Sequence, residues 1–437
     1  MNASEFNSVS TKQQRIAELA KQSPRMVFSS LAYHMDAEWL REAYRRTRKD
    51  GAAGVDGITA EEYEANLEAN LSDLLERAKS GRYQAPPVKR AYVPKGQNEQ
   101  RPIGIPTLED KVLQRAVCML VEPIWEQDFH ANSYGFRPGR SQHQALEVIR
   151  EGIMEMKGGW ILDVDIRKYF DTIDHSQVQA MLRQRVNDGV ITRLVGKWLN
   201  AGVQEQGQLS YPKSGSPQGG VVSPLLSNIY LHYVMDMWFE TMVKPCMKGK
   251  VFMVRFADDL VMGFSDKQDA LRVTGVLPKR FAKFGLTVHP EKTRLVRFER
   301  PWKDKPKPDE DIGTFDFLGF THYWSRSNKG NWVVKRKTAS KRLRTKIKEI
   351  TDWCKKNMHL PVREQHKILC SKLRGHYQYY GITGNYRSMS SYRRAVVQAW
   401  FKWLNRRTRK GQKNWDSFND FLNHLPLPQP KINHSYV

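Results

Sequence analysis

The chain has 437 residues, 40% of them apolar and 11% aromatic, enough for buried cores in two or three domains of roughly 150 residues each. Lys and Arg number 71 against 46 Asp and Glu, a formal net charge of +25, which points to a polyanionic partner, with nucleic acid ahead of a membrane surface. Four scattered cysteines with no C-x-x-C pair argue against a zinc ribbon, a zinc-bearing nuclease module and a disulfide framework. No run approaches the ~20 apolar residues of a membrane span, and the first thirty residues lack a signal-peptide core, so the expectation is a cytoplasmic protein with no membrane partner.

In chain order, the first ninety residues read as helices. Thr59-Ala60-Glu61-Glu62 is a capping box, followed by Tyr63, Leu67, Leu71, Leu74 and Leu75 on one helical face, with Gly81 as the stop. Before it, Arg45-Arg46-Thr47-Arg48-Lys49-Asp50-Gly51 runs into Gly54-Val55-Asp56-Gly57, a basic loop punctuated by glycine. Ala85-Pro86-Pro87 marks a boundary, and an extended segment begins at Ala91.

The middle of the chain mixes two periods. Residues 160–166 alternate as a strand, 176–200 read as helical, and 251–264 read as two apolar strands around a tight acidic interruption. This irregular order suggests an α+β layer, one antiparallel sheet backed by helices. After a Pro- and Lys-rich linker at 301–308, Phe315 to Phe320 reads as a short strand, and from Ala339 the pattern is helical to about Leu425 with glycine breaks at 381–384. Residues 331–410 carry 22 Lys and Arg against three acids, so 19 of the 25 net charges lie there, interleaved with Trp353, Tyr377, Tyr379, Tyr380, Tyr386, Tyr392, Trp400 and Trp403. Most of these aromatics are expected in the core, while the unbalanced charge favours a helical module that binds nucleic acid.

The chemistry rests on carboxylates. Asp163 and Asp165, two apart on a strand, share a face. Asp258-Asp259 interrupts an apolar run as a hairpin tip would, and two adjacent carboxylates on a tight turn favour a cation. By itself such a pair is a solvated β-turn. With the strand of Asp165 beside it, three carboxylates would converge on two Mg²⁺ ions.

Five segments, in this order, carry a family resemblance: Arg101-Pro102-Ile103-Gly104-Ile105-Pro106, Ser133-Tyr134-Gly135-Phe136-Arg137-Pro138-Gly139, Ser216-Pro217-Gln218-Gly219-Gly220, Phe256-Ala257-Asp258-Asp259 and Phe317-Leu318-Gly319-Phe320. From about residue 30 to about 430 the chain resembles the reverse transcriptases encoded by bacterial group II introns, also called maturases, in a compact form without an endonuclease domain. Phe256 stands where that family usually has Tyr.

The resemblance implies a right-hand polymerase fold: an N-terminal helical extension with a template-clasping loop (1–88), fingers and palm with an antiparallel sheet (89–330), and a basic all-α thumb or maturase domain (331–437). It implies that Asp165 and Asp258 are catalytic and hold two Mg²⁺ ions, with Asp259 completing the catalytic cluster as a metal contact or a structural residue, the Ile166 carbonyl as a further ligand and Asp163 either joining them or only neighbouring them. Lys95 and Arg101 match two cationic clamps on the triphosphate of a deoxynucleotide, with exposed loop cations as the alternative. Phe170 matches the bulky residue that leaves no room for a 2′-hydroxyl, with a plain core aromatic as the alternative. Gln218 and Gly219 would lie beside the nucleotide. Lys292 matches a lysine that protonates departing pyrophosphate, with a phosphate-neutralising or surface role left open. Phe317 to Phe320 matches a primer grip, with a plain core strand as the alternative.

The activity implied is RNA-directed DNA synthesis on an RNA template with a DNA or RNA primer, together with binding of group II intron RNA to assist splicing, and of target DNA in retrohoming. The rival readings are a domesticated or defence-associated enzyme of the same fold, an RNA polymerase acting on RNA, and a non-catalytic RNA-binding splicing factor.

Overall fold

The structure is a computed structural model that describes residues 3–95, 99–211, 214–215, 219–302, 311–407 and 412–435. The chain divides into two compact units, Met1–Ala145 with Leu162–Leu295, and Leu146–Ile161 with Val296–Val437. Both mix helix and sheet or add helices to a sheet, in keeping with the α+β expectation.

The chain opens with α1 (Ala3–Gln22), α2 (Ala37–Arg46), α3 (Ala60–Glu64) and α4 (Leu67–Ser80). The capping box forms: Glu62 Oε2 accepts from the Thr59 N–H at 2.8 Å, and Thr59 Oγ1 accepts from the Glu62 N–H at 3.3 Å. The one helix expected from there to Gly81 is two, because Asn66 leaves the helical region (φ −127°, ψ 38°) and the Asn70 amide takes the Tyr63 carbonyl. Gly81 ends α4 in the left-handed region at φ 86°.

There follow β1 (Val88–Lys95), β2 (Glu99–Ile105), α5 (Leu108–Asp128), α6 (Gln142–Met156), β3 (Gly158–Val164), α7 (Tyr169–Thr172), α8 (His175–Arg183), α9 (Gly189–Leu199), β4 (Val203–Glu205), β5 (Gln208–Ser210), α10 (Ser223–Leu231), β6 (Val251–Phe256), β7 (Asp259–Phe264), α11 (Lys267–Ala282) and β8 (Arg294–Glu299). The helix expected over 176–200 is broken between α8 and α9. Phe28 exchanges backbone hydrogen bonds with Arg185 and Asn187, and Asp188 caps α9 by accepting from the Val190 and Ile191 N–H groups.

Two sheets organise this part of the chain. One has the order β2-β1-β4-β5, the antiparallel pair β1 and β2 placing Lys95 opposite Glu99. The other has the order β6-β7-β3-β8, with β6 and β7 an antiparallel hairpin. In β3 and β8, Gly158 lies against Arg300 and Asp163 against Arg294, so these strands run in opposite directions. Leu162, Val254, Val261 and Met262 of this sheet, with Ile229 of α10 and Phe281 of α11, are all fully buried. That apolar packing is the main stabilising contribution to the platform carrying the acidic residues.

In the second unit β9 (Phe315–Phe317), β10 (Phe320–Arg326) and β11 (Trp332–Thr338) form a sheet of order β11-β10-β9. The single strand expected over 315–320 is therefore two strands around a turn, with Leu318 at φ 48° and Gly319 at φ 79°. Helices α12 (Ser340–Lys356), α13 (Val362–Tyr380), α14 (Tyr386–Arg407) and α15 (Trp415–His424) follow, with a break before Pro361 that the helical pattern did not signal. Tyr377, Tyr380, Tyr392, Trp400 and Trp403 are buried, as core aromatics should be, and Tyr386 is exposed. Among the described residues no helix is long and apolar enough to cross a membrane.

Three buried histidines give the fold a pH signature. Burial pushes His232 down to about 4, His322 to about 3 and His376 to about 4. Each stays neutral when folded and takes up a proton when unfolded, so stability falls with acidification from pH 6.5 towards 4, by up to about 1.4 kcal/mol per pH unit per ring. Asp110, pushed up to about 6 by burial, opposes this by one proton between its unfolded value of 3.8 and 6. Urea denaturation midpoints should accordingly drop between pH 6.5 and 5, and a flat profile there would contradict the burial of these rings.

Candidate active site

The β6–β7 hairpin places the acidic pair. Phe256 pairs with Asp259, leaving Ala257-Asp258 as a two-residue turn. Ala257 adopts φ 58°, a left-handed conformation that costs a non-glycine residue on the order of 1–3 kcal/mol and persists only where its surroundings enforce it.

Those surroundings are a buried polar network. Gly135 backs the turn so closely that a Cβ there would stand 2.2 Å from the Ala257 nitrogen, which explains the glycine in the second motif. Arg255, 1% exposed, donates to both oxygens of the fully buried Asp236 at 2.8 and 2.5 Å. Its third arm donates to Asn228 Oδ1 at 2.9 Å and to the Ala257 carbonyl at 3.1 Å. Asn228 in turn donates to the Gly135 carbonyl at 2.8 Å. Asp236 closes a π-helical turn (His232–Asp236) that continues α10, a local irregularity that aims its carboxylate at the hairpin. Sequence reasoning missed Arg255, Asp236 and Asn228. The available signal was a lone Arg inside an otherwise apolar strand, which demands a buried anionic partner.

Asp165 follows the last residue of β3, the strand beside β7. Its N–H donates to Thr293 Oγ1 at 3.2 Å and its carbonyl accepts from the His289 N–H at 2.8 Å. Ile166 bridges Val288 through the Asp165 carbonyl and the Arg167 N–H, so that bridge does not use the Ile166 carbonyl. Lys292, in the segment that clamps Asp165, holds its Nζ 3.8 Å from Asp165 Oδ2. Asp163 is engaged by Arg294 at 3.4 Å.

Tyr169, four residues past Asp165, is wholly buried and donates to the Ser227 carbonyl at 2.9 Å. Burial raises its pKa far above the ordinary phenol value, and the nearby negative charge of Asp258 adds to the rise. The charge of Asp258 is thus felt by the segment that follows Asp165.

The donor set is hard oxygen. Asp165 and Asp258 are half-buried, while Asp259 is a ladder residue opposite Phe256 and is exposed. Among the described residues no three His, Cys, Asp or Glu side chains form a group that would hold a metal ion unaided. Asp258 lies in the turn and Asp259 in the ladder that follows it, so the two adjacent carboxylates have different surroundings. Aspartate carboxylates and backbone carbonyls are oxygen donors of the kind that suits Mg²⁺, which keeps much of its shell for water and substrate phosphates instead of entering an all-protein cage.

Most of the other singled-out residues lie in the same unit. Phe170 is half-buried in α7, edge-on to Tyr169 at 5.2 Å between centroids. Gly215, at φ 95°, lies against the backbone of Phe170 and Asp171, where a Cβ would come within 2.9 Å of the Phe170 carbonyl oxygen. Gly219, at φ 122°, presses on β2, where a Cβ would stand 2.3 Å from the Gly104 oxygen. The first and third motifs thus meet through two glycines. Arg101 is exposed on β2 opposite Val93. Lys95 closes β1, but its side chain lies outside the described residues, as do Gly96 to Asn98 and Ser216, Pro217 and Gln218. The loop at 51–57 is anchored on the same unit: Gly54 abuts Thr107, and Lys111 donates to the Ala52 carbonyl at 3.1 Å. The Phe317–Phe320 turn belongs to the second unit, where Tyr379 donates to the Leu318 carbonyl at 2.8 Å.

Residues 93–322 match the family described as reverse transcriptase (RNA-dependent DNA polymerase). The chain is similar to Protein YkfC of Escherichia coli K12, with 39% identity over 231 residues that cover 51% of this chain and 61% of that protein. It is similar to the Group II intron-encoded protein LtrA of Lactococcus lactis subsp. cremoris, 36% identical over 222 residues, 50% of this chain and 37% of LtrA. It is also similar to the Putative COX1/OXI3 intron 1 protein of Saccharomyces cerevisiae, 30% identical over 224 residues, 51% of this chain and 26% of that protein. The aligned part thus spans at most 61% of these relatives' own length.

Proposed function

The chain belongs to the reverse transcriptase (RNA-dependent DNA polymerase) family, and from that premise we propose that it copies RNA into DNA at the site built around Asp165 and Asp258. The observation that carries the reading is the position of these two carboxylates, one just past the end of β3 and one just before the start of the neighbouring β7. Asp165, Asp258, Asp259 and the Ile166 carbonyl would hold two Mg²⁺ ions. Bound Mg²⁺ supplies charge neutralisation on the triphosphate and lowers the pKa of the primer 3′-hydroxyl.

The protein's own part is alignment. The Arg255 network fixes the strained turn, and the His289–Thr293 segment fixes the backbone of Asp165. Lys292, whose Nζ lies 3.8 Å from Asp165 Oδ2, would neutralise or protonate the pyrophosphate as it leaves. Arg101 and Lys95 would grip the triphosphate of the incoming deoxynucleotide, and Gly219, with Gln218, would let the backbone approach it. Phe170 would exclude a 2′-hydroxyl. Phe170→Ala should then admit ribonucleotides, lowering the preference for dGTP over GTP by at least ~10-fold, since a steric gate acts through one oxygen. Unchanged discrimination in competition assays would remove Phe170 from that role.

We assign residues 1–88 to a helical extension whose loop clasps the template, 89–330 to fingers and palm, and 331–437 to a thumb that grips the template–primer duplex. The same basic helices would bind group II intron RNA and assist splicing, with target DNA as a further partner. The concentration of 19 net positive charges in 331–410 supports this. RNA binding should weaken steeply with salt, each neutralised phosphate adding roughly 0.7–0.9 to the log–log slope. A flat response would contradict the role given to those helices. The direct test of the activity is extension of oligo(dT) on poly(rA) with Mg²⁺ and dTTP; no extension by the full chain would refute it.

A further inference from the structure

The second unit contains a cavity of about 410 Å³ among α12, α13 and α14, within the range of small-ligand sites. Its inner wall is aromatic and buried: His376, Tyr380 and Tyr392 are 7%, 8% and 4% exposed. The His376 ring stacks on Tyr392 at 4.0 Å and lies 4.6 Å from Tyr380. Among the described residues its Nε2 is buried without a hydrogen-bond partner, and an unsatisfied buried nitrogen of this kind is a position where a ligand or a water would be held. Burial keeps the ring neutral near pH 7, so a ring nitrogen is available to donate or accept.

The rim is charged. Lys346, Lys372 and Glu349 line it and are exposed, with Lys346 Nζ 2.7 Å from Glu349 Oε2. A bare phosphate would be repelled by Glu349 and would gain nothing from the rings. A nucleotide uses every part: the base meets the aromatic wall and His376, an amino group or 2′-hydroxyl donates to Glu349, and flanking phosphates meet the lysines.

We propose that this cavity receives one unstacked nucleotide of single-stranded RNA, a local anchor within the basic helical module. The proposal rests on the reading of that module as RNA-binding. It gives the aromatic residues of α13 and α14 a contact that the duplex grip alone does not require.

Gly375 provides the test. It lines the cavity inside α13, and among the described residues a Cβ on it would meet nothing within 4 Å. Gly375→Leu therefore puts a side chain at the mouth and favours the helix, since leucine exceeds glycine in helix propensity. The full chain and this variant are each photocrosslinked to a single-stranded RNA carrying 4-thiouridine, and the adducts are mapped by mass spectrometry. The expected result is crosslinks at Tyr379, Tyr380 or Tyr392 in the natural chain, lost in Gly375→Leu, with single-strand affinity reduced roughly tenfold. Lys346→Ala/Lys372→Ala, which leaves the wall intact, should weaken binding and flatten its salt dependence. If RNA binds tightly and with a steep salt slope, but crosslinks fall elsewhere and Gly375→Leu binds as well as the natural chain, the cavity proposal is overturned alone. If the natural chain does not bind RNA, the reading beneath it fails as well.

Discussion

Replacing Asp258 with Ala is expected to lower primer extension on poly(rA)/oligo(dT) by ~10³-fold or more, since a lost metal ligand removes several kcal/mol of transition-state stabilisation at 1.36 kcal/mol per decade. The residue sits half-buried at a turn, and its removal relieves repulsion from Asp259, so the fold should hold. RNA binding should stay close to the natural value, because the positive charge lies mainly in residues 331–410. The paired measurements are single-turnover extension and filter binding on one preparation. Substantial extension by the variant would remove Asp258 from the metal site.

The second large effect concerns the hairpin's support. Arg255 and Asp236 are 1% and 0% exposed, so removing either partner strands a buried charge. Arg255→Met or Asp236→Leu should each destabilise the chain by about 3–5 kcal/mol, read from urea denaturation. The double variant should recover most of that loss, because an apolar pair of similar volume often replaces a buried ion pair without penalty. Activity should not recover with it. Asn228 and the Ala257 carbonyl have still lost their donor, and the left-handed turn carrying Asp258 is no longer held. A stable, fully active double variant would show that the network serves folding alone.

The residues most legible in the sequence were those whose chemistry tolerates few substitutes. Asp165 and Asp258-Asp259 stood out because acids interrupt apolar strands, and the strands around them formed as their periodicity indicated. The capping box at Thr59 was equally readable, since it depends on four consecutive residues. What stayed hidden depends on partners distant in sequence. Nothing local to Asp236 signals that it faces Arg255 across 19 residues, through a π-helical turn. The break between α8 and α9 arises where Phe28 captures Arg185 and Asn187, and the turn in Phe315 to Phe320 depends on a positive φ at Leu318 that sequence alone rarely announces. Lys292 was found by its motif, but its place beside Asp165 follows from the clamp of His289 and Thr293 on that backbone.

Asp165 and Asp258 are expected to bind divalent cations jointly. A crystal structure of the chain with template–primer, a non-extending deoxynucleotide and Mn²⁺, read by anomalous scattering, tests it most directly. Manganese peaks are expected within ligand distance of both carboxylates and of the triphosphate. Peaks elsewhere, or carboxylates too far apart to share an ion, would contradict it.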